Sequence, residues 1–330
     1  MSLLACFGLR RRTVYDRPRL LDYLAASPLA LIATILYRLF LYLRGSPLHP
    51  PRGQIPVRVV CISDTHDRSV HVPTGDVLVH AGDLSTNGTA SDIQAQLDWI
   101  RTLPHAVKIV VAGNHDRFFD PESRIPEDVS ANSRLDLDGL TYLEDELSVQ
   151  EINVLIYIPS ASSGPFESFA ELTSRLDEPM TSFQYPPTTS PWFSRVPPQT
   201  DVLVTHTPPK HHLDLGLGCP GLLREIWRVR PRLHVFGHVH SAYGSEPVYF
   251  DEMQAAYERL LSRPSGPLSD LIPSRRWLDF LQFIFQGVRT VLWKWLMAGP
   301  GSNRGGLLVN AAQAFETTNM VKSRAIVVDI

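Results

Sequence analysis

Five short groups of residues of the types that bind metal ions occur along the chain, and each follows an apolar run. In chain order they are Asp64-Thr-His66, Gly82-Asp83, Gly113-Asn-His-Asp116, His206 and Gly237-His-Val-His240. Carboxylate, carboxamide and imidazole groups together suit divalent cations of intermediate softness. Even without His115 and Asp116, seven such side chains are more than one ion normally takes, which favours two adjacent ions that share a carboxylate. Two ions about 3.5–4 Å apart bridge a phosphoryl group and stabilise both oxygens of an in-line displacement.

The apolar runs before these groups alternate with helical stretches and predict an α/β fold. The strand-like runs are Val57–Ile62, Val77–His80, Val107–Ala112, Val154–Ile158, Val202–Thr205 and Leu233–Phe236, with Leu307–Asn310 and Ala325–Ile330 closing the chain. A helix is predicted around Ser91–Thr102. Alternation of this kind indicates sheet strands covered by helices. Because open α/β sheets build their sites at the carboxyl ends of strands, we expect the ligand groups to meet at one such edge.

Any single group is weak evidence, since two histidines two positions apart on a strand share a face whether or not metal is bound. The complete series in this order resembles the calcineurin-like metallophosphoesterase superfamily, whose signature reads D-x-H, G-D, G-N-H-[DE], H and G-H-x-H. All five blocks are present without a substitution, and the resemblance covers about Val57 to His240 together with the closing strands. Residues 80–85, 206–209 and 308–311 look most like its small subgroup of brain-type metallophosphoesterase-domain proteins and their fungal and bacterial relatives. The resemblance implies a four-layer αββα sandwich of two mixed β-sheets with a dimetal site at the strand ends.

The same resemblance implies a role for each residue of the five groups. One metal would be held by Asp64, His66, Asp83 and His240, and the other by Asp83, Asn114, His206 and His238, with Asp83 bridging. His115 would protonate the leaving oxygen or stabilise the developing charge, and Asp116 would orient its ring. A metal-bridging hydroxide would be the nucleophile, so no covalent phospho-enzyme is expected. The two divalent ions would be Mn, Fe, Zn or Mg, with Mn²⁺ expected in vitro.

These roles imply an enzyme, a dimetal phosphoric ester hydrolase that acts on a small phosphoester. A phosphodiester such as a cyclic nucleotide is expected by analogy with the subgroup, and a phosphomonoester is the alternative. A membrane-associated scaffold that keeps a structural metal site and a nuclease are the other functions considered. The chain without its two basic segments, residues 1–52 and 269–298, carries a net charge of −11. Because nucleic acid is a polyanion, no specific nucleic-acid partner is expected for this acidic body.

The two basic segments are also hydrophobic and stand apart from the body. Residues 1–52 form an N-terminal segment and linker of net charge +6, in which Ser27-Pro28 predicts the start of a helix ending at Arg44. The rest, 53–330, is predicted to be the phosphoesterase domain, with a hydrophobic helical insertion at about 262–304. Stretches 20–44 and 274–297 are predicted to contact a membrane surface. A mitochondrial transit segment and a packing helix of a soluble protein are alternatives for the first.

The expected location follows from these segments and from the cysteines. Cys6, Cys61 and Cys219 are too few and too scattered for a disulfide framework, which favours a reducing compartment. We therefore expect a membrane-associated protein with a cytosolic catalytic domain, with a cytoplasmic or a mitochondrial location as alternatives.

Substrate selection is expected from three loops rather than from the ligand groups. The first surrounds His115. The second, Pro186–Pro198, contains Trp192 and is either a cap over the site or a surface connection. The third contains His211 and His212, which either touch the substrate phosphate or are solvated.

Overall fold

The chain forms two compact units. The computed structural model describes residues 9–49, 53, 55–142, 146–149, 155–158, 194–297, 305–315 and 318–330. The helical unit comprises Met1–His49 and Pro247–Leu307, and the sheet unit comprises Pro50–Glu246 and Leu308–Ile330. The predicted boundaries at residue 52 and at about 262–304 stay predictions.

Each predicted helix and strand that falls on described residues is present to within two residues at each end. Helices α1 to α7 are Leu20–Ala26, Pro28–Arg44, Ala90–Arg101, Pro126–Ser130, Pro220–Val229, Glu252–Ser262 and Arg275–Leu296. Strands β1 to β13 are Arg58–Ile62, Val77–His80, Val107–Val110, Thr141–Tyr142, Glu146–Val149, Leu155–Ile158, Val202–Val204, Leu233–Phe236, Gly244–Val248, Gly306–Asn310, Ala314–Phe315, Thr318–Val321 and Ile326–Asp329. Of these, α1, α4, α5, α6, β4, β5, β9, β11 and β12 were not predicted.

The first sheet brings the ends of three parallel strands to one edge. Its order is β13-β1-β2-β3-β4. Strands β1, β2 and β3 run parallel, with Ile62 opposite His80 and His80 opposite Val110, whereas β13 is antiparallel to β1. Their side chains are mostly apolar and buried, as expected of parallel strands covered on both faces. Because the last residues of the three strands are in register, the segments that follow them leave the sheet side by side.

The second sheet repeats this arrangement with later parts of the chain. Its order is β5-β6-β7-β8-β10-β9. Strands β6, β7 and β8 run parallel, with Val204 opposite Val235, and β5 is antiparallel to β6. Both sheets are therefore mixed, which confirms the predicted α/β fold.

Helix α3 packs on the first sheet through one apolar face. Thr89 Oγ1 accepts a hydrogen bond from Asp92 N at 3.1 Å and so caps the start of the helix. Apolar residues then recur at the steps of three and four that place them on one face, at Ile93, Leu97 and Ile100. This face is fully buried in a cluster with residues of β1 and β2. The helix thereby excludes water from the strands that carry the ligand groups.

The helical unit has an aromatic core between α2, α6 and α7. Tyr37 of α2 stacks on Tyr257 of α6 with ring centroids 4.0 Å apart, and Phe283 of α7 packs against both rings. Ser27 Oγ accepts a hydrogen bond from Ala30 N at 3.0 Å, so the predicted start of α2 is confirmed. Asp270 joins the start of α2 to the start of α7, because its carboxylate contacts both Ser27 and Arg276.

Among the described residues, no helix taken singly has the length and hydropathy needed to cross a membrane. The pair α1 and α2 meets those two criteria when taken together, with a bend of 120° between the helices. Membrane contact through 20–44 and 274–297 stays a prediction.

Candidate metal centre

Each of the predicted ligand residues lies where the chain leaves a strand. Asp64 and His66 follow β1, Asp83 follows β2, Asn114 follows β3, His206 follows β7, and His238 and His240 follow β8. Asp64, His66, Asp83 and His238 have backbone φ angles between +43° and +66°. Residues other than glycine adopt this left-handed region at a cost of about 1–3 kcal/mol each, and such residues cluster at functional sites. The backbone is therefore strained where the ligand groups meet.

The first converging group consists of Asp64, His66, Asp83 and His240. One ligand atom from each residue lies within 4.8 Å of the other three. His240 Nε2 is 3.1 Å from Asp64 Oδ1 and 3.4 Å from His66 Nε2. Two imidazole nitrogens and two carboxylate oxygens this close together form a donor set that suits a divalent cation.

The second group lies next to the first and draws on both sheets. Asn114 Oδ1 is 3.0 Å from His206 Nε2 and 2.9 Å from His238 Nδ1. The rings of His206 and His238 meet edge to face with centroids 5.1 Å apart. His206 Nδ1 donates a hydrogen bond to the Ala81 carbonyl at 2.8 Å, and this contact directs Nε2 into the group.

Asp83 is shared by the two groups. Its Oδ2 is 3.8 Å from His66 Nε2 and 3.3 Å from His206 Nε2. Its Oδ1 accepts a hydrogen bond from His115 N at 2.9 Å, which fixes the plane of the carboxylate. A carboxylate in this position is able to bridge two cations. The structure thus brings all the predicted ligands together, and their binding of metal stays a prediction.

The titratable side chains of the two groups shift one another's pKa. Burial opposes ionisation of Asp83, but His206 and His115 outweigh it and hold the pKa of Asp83 well below its usual range. Burial likewise opposes protonation of His206, but Asp83 outweighs it and raises the pKa of His206 to about 9. Burial lowers the pKa of His238 to about 4. Because imidazole binds metal in its neutral form, a cation placed here would displace the proton held between His206 and Asp83. The donor set therefore fits divalent metal.

His115 and Asp116 follow this group, and one predicted contact between them is absent. The His115 ring lies edge to face with His66, and its Nδ1 donates a hydrogen bond to the Thr86 carbonyl at 2.9 Å. The buried Asp116 carboxylate accepts hydrogen bonds from the backbone amides of Leu84, Ser85 and Gly113. The prediction that Asp116 orients the His115 ring is therefore wrong, because those amides surround the carboxylate. Asp116 instead joins the turns that carry Asp83 and Asn114, and Thr86 orients His115.

Two buried threonine–histidine pairs hold the ligand turns in place. Thr65 Oγ1, between the two ligands of the first turn, is 2.9 Å from His80 Nε2. Thr205 Oγ1, directly before His206, is 2.9 Å from His234 Nε2. Burial lowers the pKa of His80 to about 4 and that of His234 to about 3, so both rings stay neutral. Neither Thr205 nor His234 is among the candidate residues predicted from the sequence. The sequence feature that could have indicated this pair is His234, a histidine inside the otherwise apolar strand β8.

The structure describes only part of the three loops that are predicted to select the substrate. His212 is buried, with its Nδ1 2.7 Å from Glu246 Oε1, so the interpretation of His212 as a solvated histidine is wrong. Asn310 Nδ2 donates to the carbonyls of Leu213 and Val239 at 3.1 Å and 3.0 Å, and so connects this loop to the turn between His238 and His240. Trp192 and the part of its loop up to residue 193 lie outside the described residues.

Gly237 leaves no room for a side chain beside Asp64. A Cβ at this position would overlap both Asp64 Oδ2 and Ser63 Oγ. We expect Gly237→Ala to displace the Asp64 carboxylate and to lower metal affinity and activity about 10–100-fold, the range found when the support of a metal ligand is disturbed. Metal analysis of the purified protein and initial rates check this.

Gly266→Ala is the matched control for Gly237→Ala. The nearest atom to a Cβ at Gly266 is Ser269 Oγ at 3.4 Å, an ordinary contact distance. This variant should keep the metal content and the rate of the unmodified chain. If the two alanine variants bound metal equally well, Asp64 would not be a ligand.

The fold and the site define an α/β protein with a candidate centre for two divalent metals at its strand ends. A family model described as Calcineurin-like phosphoesterase matches residues 57–242, which is more than half of the chain. The chain belongs to this family. The resemblance seen in the five sequence blocks is thereby confirmed.

Curated relatives agree with the predicted subgroup. A UPF0046 protein of Caenorhabditis elegans is 35% identical over 209 residues, covering 59% of this chain and 68% of that protein. Metallophosphoesterase domain-containing protein 1 of Homo sapiens is 32% identical over 234 residues, covering 60% of this chain and 65% of that protein. A protein of Emericella nidulans named probable rhamnogalacturonate lyase C is 36% identical over 287 residues, covering 83% of this chain and 24% of that protein. The chain thus spans about two thirds of the first two relatives and a quarter of the third.

Proposed function

We propose that the chain is a metal-dependent phosphoesterase that hydrolyses a small phosphodiester. The observation that carries the proposal is the position of Asp83, whose Oδ2 lies between His66 and His206. One divalent ion would be held by Asp64, His66, Asp83 and His240, and a second by Asp83, Asn114, His206 and His238. When bound, two such ions supply Lewis acidity toward the phosphoryl oxygens and activate water at neutral pH.

His115 is proposed as the proton donor to the leaving oxygen. Its ring lies beside the first group, with centroids 5.0 Å from His66. Because Nδ1 is held by the Thr86 carbonyl, Nε2 is the nitrogen left to exchange a proton with the substrate. The half-buried position of the ring leaves that nitrogen within reach of a ligand.

Charge supports a phosphodiester ahead of a phosphomonoester or a nucleic acid. A diester carries one negative charge per phosphate, whereas a monoester carries up to two and a nucleic acid many. The body without its basic segments has a net charge of −11, which disfavours the more highly charged substrates. The resemblance to the brain-type subgroup supports a cyclic nucleotide within this class, and Mn²⁺ is the proposed ion for assay.

Turnover of a substrate panel with added metal tests the proposal. The full chain is stripped with a chelator and assayed with Mn²⁺, Mg²⁺ or Zn²⁺ on an aryl phosphodiester, an aryl phosphomonoester, a cyclic nucleotide and single-stranded DNA. We expect chelation to lower the rate by at least about 10³-fold, because charge stabilisation by the ions is lost. Added Mn²⁺ should restore it, with the diesters turned over fastest.

The same panel separates the alternatives. Stoichiometric metal without turnover of any substrate would favour the scaffold that keeps a structural metal site. Faster turnover of DNA than of the small diesters would favour the nuclease.

A further inference from the structure

Helix α7 has an apolar face directed away from the core of the helical unit. The helix buries Arg276, Asp279, Phe283 and Gly287 on one side. On the opposite side, apolar residues recur at steps of three and four and are 45–70% exposed: Leu278, Leu281, Phe285, Val288, Leu292 and Trp295. We call these six residues the α7 outer face. A continuous apolar strip of this size marks an interaction surface rather than a solvated helix face.

The helical unit is positively charged around this face. The exposed charged side chains in its described part are Arg10, Arg12, Arg17, Arg19, Arg38, Arg259, Arg275 and Arg289, against one exposed acid, Glu252. The other described acids of the unit are wholly or partly buried. Asp270 forms an ion pair with Arg276, and Asp279 forms one with Arg263. The exposed surface of the described part of this unit is therefore positively charged, because most of its acidic side chains are wholly or partly buried.

We propose that the α7 outer face binds the surface of a bilayer containing anionic phospholipid, with the helix lying in the plane of the interface. Arg275 and Arg289 border the apolar strip, where they would meet lipid phosphates while the strip enters the acyl boundary. Trp293 and Trp295 are exposed near the end of the helix, and tryptophan favours the headgroup region. The 22-residue helix is about 33 Å long, enough for many lipid contacts.

A second copy of the chain is the main competing occupant, since steps of three and four also form helix–helix seams. Charge disfavours it. Arg275 and Arg289 lie on the same border of the strip, and the described part of α7 exposes no acidic side chain to pair with them. Two such helices packed together would bring like charges close without the complementary pairs that stabilise such seams.

A second apolar row in the same unit supports binding to a surface. Helix α2 exposes Ile32, Ile35, Leu39 and Tyr42, again at steps of three and four, with Arg38 beside them. Two helices of one unit thus present apolar rows bordered by arginine.

Vesicle co-sedimentation of the full chain tests the proposal. We expect binding to vesicles of phosphatidylcholine with phosphatidylserine, and weaker binding to phosphatidylcholine alone. The double variant Leu281→Glu/Phe285→Glu should bind more than about 100-fold more weakly, because each substitution removes a large apolar side chain from the acyl boundary. Arg275→Glu and Arg289→Glu should each weaken binding to the anionic vesicles about fivefold or more.

Val129→Glu is the matched control, since Val129 is an exposed apolar residue on helix α4 of the sheet unit. It should bind the anionic vesicles as the unmodified chain does. The proposal is overturned if the unmodified chain stays in the supernatant, or if Leu281→Glu/Phe285→Glu binds like Val129→Glu. It is also overturned if light scattering without lipid shows a dimer that this double variant converts to a monomer. None of these results depends on hydrolytic activity.

Discussion

Asp83→Asn is expected to lower metal-stimulated phosphoester hydrolysis by at least about 10³-fold. Asp83 Oδ2 is the atom that faces both groups, at 3.8 Å from His66 Nε2 and 3.3 Å from His206 Nε2. Asparagine keeps the shape of the side chain but loses the negative charge that would bridge two cations. Both ions should therefore bind more weakly, although the side-chain volume is unchanged.

Three measurements on Asp83→Asn separate loss of metal from loss of fold. Metal analysis should show less bound metal per chain, and initial rates should fall to the level of the chelated protein. Far-UV circular dichroism should stay that of the unmodified chain. Asp98→Asn is the control, because Asp98 is an exposed carboxylate on α3. Full activity in Asp83→Asn would remove the basis for a shared centre.

The parallel strands β1, β2, β3, β7 and β8 were predictable from the sequence because each is a largely apolar run. Val77–His80 and Leu233–Phe236 were predicted with the bounds of β2 and β8, since a buried parallel strand is a continuous apolar run with clear ends. Placing the polar residues at the ends of such strands required no knowledge of side-chain geometry. Parallel strands in register bring the following segments together, which is why the predicted ligands converge.

The contacts of Asp116, Thr205 and His234 were not predictable in the same way. Asp116 accepts hydrogen bonds from amides more than thirty residues before it, at Leu84 and Ser85, and nothing in the local sequence marks those amides as its donors. The pairing of Thr205 with His234 depends on the register between β7 and β8. Periodicity specifies which face a residue occupies, whereas these contacts depend on which loops pack together.

The sequence of helix α7 likewise does not specify which side of the helix is buried. Asp279 is one of the few charged residues in this largely apolar helix, yet its carboxylate lies inside the helical unit and contacts Arg263. A helix with apolar residues around most of its circumference has no unique buried side. The ion pairs of Asp270 and Asp279 with arginines decide which side faces the core. An apolar row that includes Phe285 is consequently left outside.

His115→Gln is expected to lower activity about 10²–10⁴-fold while leaving the metal content unchanged, the range for loss of a general acid. The His115 side chain lies outside the two groups of ligand-type atoms, and its ring is held by the Thr86 carbonyl rather than by a carboxylate. Glutamine is polar and of similar size but cannot hold a proton at the position of Nε2. This variant therefore separates proton transfer from metal binding, which Asp83→Asn does not.

The leaving group decides between the two roles considered for His115. A 4-nitrophenolate leaves without a proton, whereas an alkoxide does not, so a proton donor matters far more for an alkyl diester than for an aryl diester. We expect His115→Gln to lose most of its activity on the alkyl diester and much less on the aryl diester. An equal loss on both would assign His115 to stabilising charge on the phosphoryl group instead.

His49→Gln is the control for this comparison. His49 is an exposed histidine whose Nδ1 also lies beside a backbone carbonyl, that of Pro47 at 3.3 Å. Since His49 belongs to the helical unit, its loss should leave both rates unchanged, and the contrast between the two variants isolates the contribution of the ring beside His66.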